Sequence, residues 1–364
     1  MKKIGIIAGI FIVAIVIGIY LIRVNKVDTD VTKNETKVGV ILNGSREDRS
    51  WGQSHYEALE ATAKKLNLDI TYMECVSENE NSAEAFEKLA GEGCKIIIAN
   101  SFGFGEWELQ AAEKHPEICY FHATGTQTAD NMSTYFGRIY QIRYLCGIVA
   151  GLQTETGEIG YVAAFPISEV NRGINAFTLG VRRVNPEAKV YVQWSNSWTE
   201  DEPTEAAARA LLDSHNIDVF AMHTDSLKVL EVAEKEGIWS IGYNMDNSDL
   251  FPNTWLTAAV WNWGSFYEPR ILECLQGKFQ GKDYWEGINS GMVELAPLSP
   301  NVNPEALQAV EEERERFRKG TFDVFYGPVR DTEGNLRIAE GESMTDYNML
   351  NHFDWYVEGV VINE

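Results

Sequence analysis

From residue 37 onward, short runs of β-branched and apolar residues alternate with stretches whose apolar positions recur at helical spacing. The order is KVGVILNG, SHYEALEATAKKL, LDITYMEC, SAEAFEKLAGEG, KIIIANS and then ICYFHAT. Such alternation predicts βαβ units, a parallel sheet covered by helices. The unbroken apolar run of KIIIAN predicts a strand buried on both faces. After residue 157 the rhythm restarts with EIGYVAAF, AKVYVQW, IDVFAMHT, IWSIGYN and WLTAAVW, separated by helices near 169–184, 202–214 and 226–236. The pattern predicts a first α/β lobe over 37–156, joined around Gly157 to a second over 157–260, with 261–364 supplying crossover segments that complete the lobes. In that last part, FYEPRILECLQG and PEALQAVEEERERFRKG read as helices, and DVFYGPVRDTEGNLRIAEGE as a hairpin turning at Glu333 and Gly334.

The N-terminal pattern is different. Residues 4–22 carry no charge, follow Lys2 and Lys3, and as a helix would span the ~30 Å hydrocarbon layer. With no short apolar core, A-x-A-like cleavage site or nearby cysteine for a lipid, they are expected to be an uncleaved membrane anchor. The charge placement predicts the N-terminus inside and the binding domain facing outward. Residues 24–36 are polar and unpatterned, and read as a tether.

Composition narrows the function. A net charge of −23, from 54 acidic against 31 basic residues, repels a phosphate backbone and argues against nucleic acid as a partner. The 5 cysteines are scattered without CxxC spacing, which indicates neither a metal knuckle nor a disulfide framework, and they read as small buried hydrophobes. The 15 Tyr, 16 Phe and 10 Trp exceed ordinary packing needs, and aromatics outside strands suggest a stacking site.

In open parallel sheets, ligands sit beyond the carboxyl ends of the strands. Trp51 follows KVGVILNG, and Phe102 and Phe104 follow KIIIANS. From the second lobe, Trp198 follows AKVYVQW, His223 and Asp225 follow IDVFAM, and Asp246 follows IWSIGY. Aromatic and acidic groups thus recur at strand ends of both lobes, predicting a site in a cleft between them. Of the two phenylalanines, Phe104 is the candidate for the site and Phe102 for the core. Trp263 is open between site and hinge packing, whereas Arg138 and Arg172 are expected in ion pairs at the surface or between lobes. No nucleophile elbow, Walker loop or HExxH pattern occurs, the acids lack metal-ligand spacing, and no nucleophile accompanies His223. A binding protein without a cofactor, rather than an enzyme, is expected.

The motifs GSREDRSWGQSHYEAL, FGRIYQIRYLCGIVAGLQTETGEIGYVAAFPISEVNRGINAFTLGVRRVNP, VQWSNSW, HTDS, GYNMDN and TAAVWNWGSFY carry a resemblance over nearly all of 37–364. The chain resembles the basic membrane protein family of ABC-transporter substrate-binding proteins, which includes purine nucleoside receptors. The resemblance implies a two-lobed type I periplasmic-binding-protein fold, a monomer, a purine-type ligand and an ABC permease as partner. It places Trp51 and Trp198 on opposite faces of the purine and Asp246 at its polar groups. Asp48 matches the acid that meets ribose, or it caps the following helix. Where family members carry a lysine for the sugar, this chain has Trp261, which favours a base over a nucleoside. Two functions fit: delivery to an importer, and sensing with the same fold without transport.

Overall fold

The computed structural model describes residues 35–363. The anchor expected over residues 4–22 lies outside the described residues. Among those described, no helix is long and apolar enough to cross a membrane.

The chain opens with β1 (Thr36–Ile41), α1 (Trp51–Leu66), β2 (Leu68–Met73), α2 (Asn81–Gly91), β3 (Ile96–Ala99), α3 (Gly105–Lys114), β4 (Cys119–Ala123) and β5 (Met132–Gly137). Then come α4 (Ile139–Gln153), β6 (Glu158–Ala163), α5 (Ser168–Val184), β7 (Lys189–Trp194), α6 (Asp201–Ser214), β8 (Val219–His223), α7 (Lys228–Glu236), β9 (Trp239–Asn244) and β10 (Trp255–Trp261). The last part holds α8 (Gly264–Leu275), β11 (Asp283–Glu286), β12 (Val293–Leu295), α9 (Pro304–Arg318), β13 (Val329–Arg330), β14 (Leu336–Ile338), α10 (Asp346–Asn351) and β15 (Val360–Ile362).

These strands make two main sheets, ordered β11-β5-β4-β3-β1-β2 and β12-β10-β9-β8-β6-β7-β15. In the second, β6 pairs in parallel with both β7 and β8, while β12 pairs antiparallel with β10 at one edge. Ile96, Ile97 and Ile98 of β3 are all fully buried, as a strand covered on both faces by helices requires. The expected hairpin forms between β13 and β14, with Gly334 at φ 84 in its turn. Its downstream strand β15 extends the second sheet along β7.

The chain passes from the first sheet to the second directly after β5. Gly157, expected to join the lobes, instead precedes β6 within the second. The reason is α4, whose glycine-containing face lies directly on α5. A Cβ at Gly147 would stand 2.0 Å from the Phe177 carbonyl oxygen, and one at Gly180 2.0 Å from that of Tyr144. Only glycine permits this backbone approach, and it makes α4 part of the second lobe. The chain returns between β10 and α8, and crosses again between β11 and β12. Two of these passages crowd around the first at Gly137, where an added Cβ would meet Val293 Cγ1 at 2.5 Å and Trp261 Cζ3 at 2.6 Å.

Candidate functional site

The strand-end loops of the two lobes meet and bond to each other. In the first lobe, Asp48 accepts backbone N–H groups from Ser50 at 2.8 Å, Gly52 at 2.7 Å and Gln53 at 2.9 Å. It thereby satisfies donors that the first turn of α1 leaves free, and fixes the loop that precedes Trp51. Burial raises the Asp48 carboxyl above its usual range, although these three N–H groups oppose the shift.

Across the cleft, Asn244 ends β9 in the left-handed region at φ 69, a conformation asparagine tolerates. Its buried amide joins three groups. Nδ2 donates to Ser50 Oγ at 2.8 Å and to Asp225 Oδ1 at 2.7 Å, and Oδ1 accepts from Trp261 Nε1 at 2.8 Å. Arg49 and Asn247 add a reciprocal pair of interlobe bonds, each 3.1 Å long, and Arg49 also pairs with Asp249. The lobes are therefore closed upon one another. Burial, with the facing Asp48 carboxyl as a smaller cause, pushes Asp225 up to about 8. At neutral pH this group is an un-ionised acid, able to donate as well as accept.

Aromatic rings line the hinge side of this junction. His55, Trp263 and Trp261 form a column, with centroid spacings of 4.5 Å and interplanar angles of 11° and 13°. Trp51 stands edge-on to the column, 5.7 Å from Trp261 and 5.4 Å from Trp263, and its indole N–H donates to the Asn100 carbonyl at 2.9 Å. Phe136, immediately before the first crossing, lies 5.1 Å from Trp261. Beneath the column, His55 Nδ1 meets the Tyr267 hydroxyl at 2.6 Å, and that hydroxyl meets Tyr135 at 2.7 Å. Burial holds His55 down at about 3, so its ring is neutral.

A second polar cluster lies behind Trp198, whose ring is 6.0 Å from His223. His223 contacts Glu169 through Nε2 at 3.4 Å and Tyr161 through Nδ1 at 3.1 Å. Burial lowers His223 to about 4, with the nearby Arg143 charge acting in the same direction. Burial alone would raise Glu169, but the His223 bond and the charges of Arg172 and Arg143 outweigh it and leave this carboxyl below its usual range. Arg143 donates Nη1–H to the Met222 carbonyl at 2.7 Å and covers the Tyr243 ring at 4.1 Å, while its Nε and Nη2 have no partner.

The structure thus gathers Trp51, Trp261, Asp48 and Asp225 around Asn244. Trp198 stands one link away, its carbonyl accepting the Asp225 N–H at 2.7 Å. Its ring touches Phe165 and His223 and not Trp51, so the two expected stacking faces are not in contact. Asp246 is exposed, accepts the Ser248 N–H at 2.9 Å, and borders a flank groove of about 650 Å³ with Glu57, Lys65, Asn244 and Trp261. Phe104 must be reassigned. The 3-10 turn Phe102–Phe104 buries Phe104 completely in the first-lobe core and turns Phe102 outward, 64% exposed, the reverse of the expected roles.

Trp263 is fully buried within the aromatic column. Arg138 pairs with Asp346, while Arg172 is buried and lies 5.2 Å from the Trp285 ring. Sequence reasoning missed Asn244, Ser50, Asn100 and Phe136. For Asn244 a signal existed, an asparagine ending an apolar strand where the chain must turn through positive φ. Among the described residues, no group of three or more potential metal ligands comes together. The assembled groups can stack a flat ring and exchange hydrogen bonds with its edge.

Comparison with known proteins places this architecture. Residues 35–321 match the profile of the Bmp family, described as ABC transporter substrate-binding protein, PnrA-like. A purine-binding protein of Brucella abortus is 34% identical over 90% of this chain and 93% of its own length. A provisionally assigned ABC transporter glucose-binding protein of Haloferax volcanii is 35% identical over 86% of this chain and 77% of its own length. An ABC transporter solute-binding protein of Conexibacter woesei superposes with a TM-score of 0.68 at 18% identity, covering 79% of this chain and 98% of that one, a likeness of fold.

Proposed function

Because the chain belongs to the Bmp family of PnrA-like ABC transporter substrate-binding proteins, we propose that it captures a purine base between its lobes for an ABC importer. Its fold is the two-domain periplasmic-binding-protein type with parallel sheets, and proteins of this family and fold bind substrates rather than transform them. The family implies a small-molecule ligand and a permease partner. In this reading, residues 4–22 anchor the protein in the membrane with the binding domain outside, and it acts as a monomer.

The observation that carries the ligand class is Trp261. It stands on the crossing strand where the resemblance to nucleoside-binding family members implies a lysine, and its indole is stacked on Trp263 with its N–H committed to Asn244. A ribose would find an aromatic wall there, whereas a base would find a flat surface beside two carboxyl groups. Stacking contributes ~1–3 kcal/mol per base for each aromatic, a large part of the roughly 8 kcal/mol that micromolar binding needs. The similarity to a purine-binding protein supports the same reading.

The test is a thermal-shift screen of the full chain in detergent against adenine, guanine, their nucleosides and glucose. Ligand binding raises apparent stability by mass action. A base should shift the melting temperature more than its nucleoside. A response to glucose alone, or to none of these, overturns the purine assignment.

A further inference from the structure

Spacing along the chain suggests no cysteine pair, but folding brings two cysteines together. Cys119 opens β4, and Cys274 lies in the last turn of α8. Side chains two apart on a strand share a face, so Cys119 faces the same layer as Phe121. The Phe121 ring is 5.6 Å from Phe266 of α8 and 5.1 Å from Phe279 just beyond that helix. Cys274 falls between these two phenylalanines in sequence, and its thiol lies within hydrogen-bonding reach of Cys119. Both are half-buried rather than enclosed, unlike Cys94 and Cys146, and Cys75 is exposed by itself. The reading of all five as small buried hydrophobes therefore fails for Cys75 and for this pair.

We propose that Cys119 and Cys274 are a redox pair that closes to a disulfide between β4 and α8. The oxidant is a low-molecular-weight disulfide such as oxidised glutathione. The Cys119 thiolate attacks one of its sulfurs and releases one glutathione thiol, leaving a mixed disulfide. Cys274 then attacks the Cys119 sulfur and displaces the second glutathione thiol. The protein loses two protons and two electrons, and the oxidant gains them. The hydrogen bond from Cys274 holds the Cys119 thiol below its usual value, which suits it to the first attack. Burial, followed by that same bond and the Cys119 charge, raises Cys274 and keeps it a thiol during the first attack; capping of Cys119 as the mixed disulfide removes that charge before Cys274 resolves it.

The position gives the bond its consequence. The loop it closes leaves the first lobe after β5, runs through β6 to β10, and returns along α8. One covalent link therefore spans both the outward passage of the chain and its first return. Such long loops are constrained most strongly in the unfolded chain, so the bond should couple the stability of the two lobes.

The experiment uses the full chain, purified reduced, then treated with oxidised glutathione, alkylated and digested. Mass spectrometry should find a peptide joining Cys119 to Cys274, lighter by two hydrogens, and the melting temperature should rise by several degrees until a reductant is added. Cys119→Ser and Cys274→Ala should each lose both the linked peptide and the gain. The two variants act independently, so either alone decides if the other does not fold. Full alkylation of both thiols after oxidation, or linkage through Cys75 instead, overturns the proposal.

Discussion

Replacing Asn244 with alanine should release the junction between the lobes. The side chain gives up bonds to Ser50, Asp225 and Trp261. Each such bond contributes about 1 kcal/mol net, and the Trp261 N–H, left buried without a partner, adds about 1 kcal/mol more. Alanine must also hold φ near 69, a left-handed conformation that costs about 1 kcal/mol. The sum is about 5 kcal/mol for Asn244→Ala and about 4 kcal/mol for Asn244→Gly, since glycine enters that region freely. Urea unfolding of both variants reads these losses through the transition midpoint, and small-angle scattering reads the accompanying lobe opening as a larger radius of gyration. A loss below about 1 kcal/mol for alanine, within the range of one surface bond, together with an unchanged radius would refute the role given to Asn244. Glycine and alanine variants of equal stability would refute the backbone part of the reasoning.

Three further outcomes follow from the same structure. Trp51→Ala should weaken purine binding by about 5- to 150-fold, the equivalent of ~1–3 kcal/mol of stacking; calorimetric titration unchanged within error would exclude Trp51 from the site. Asp225 ionises near 8 in the fold against an ordinary 3.8, so its contribution to stability is complete below the lower value and is lost as pH rises to the upper one. Unfolding midpoints of the native chain should fall relative to those of Asp225→Asn between about pH 5 and 8, and parallel profiles would contradict the shift. Glu108 is fully buried with both carboxylate oxygens unpartnered, and burial raises it well above the usual range. Its contribution is likewise lost with rising pH, so Glu108→Met should gain stability over the native chain most at alkaline pH; a gain independent of pH would show that Glu108 ionises alike in the folded and unfolded chains and would refute the shift.

Much of the fold was legible because parallel strands announce themselves. The apolar run at Ile96–Ile98 and the positions of Trp51, Asp225 and Asp246 just beyond strands follow directly from burial on two faces. What escaped detection had no periodicity to detect. In α4, residues from Ile139 to Gly151 are buried on every side, which erases the amphipathic signal and hid the first crossing behind a later glycine. The short strands β11, β12 and β15 carry 3 or 4 residues each, too few for alternation to register. Within the site, residue type identified the aromatics and acids, but orientation was set by tertiary contacts. Phe102 and Phe104 are chemically identical and two residues apart, and only the turn decides which is buried. Asp48 was open in the sequence between meeting ribose and capping the following helix, and in the fold its carboxyl accepts the three backbone N–H groups at the start of α1.

The glycine seam between α4 and α5 has a mechanical consequence. With backbone seated against backbone there is no layer of side chains to slide or repack, so the two helices transmit force like a single beam. One end of that beam begins at the crowded crossing beside Gly137, and α5 carries Glu169 at the cleft in its first turn. On the far side, its Arg172 holds the Met349 carbonyl of α10 at 2.6 Å. From the crossing to α10, the second lobe is thus joined by one backbone-to-backbone seam and one buried arginine bond.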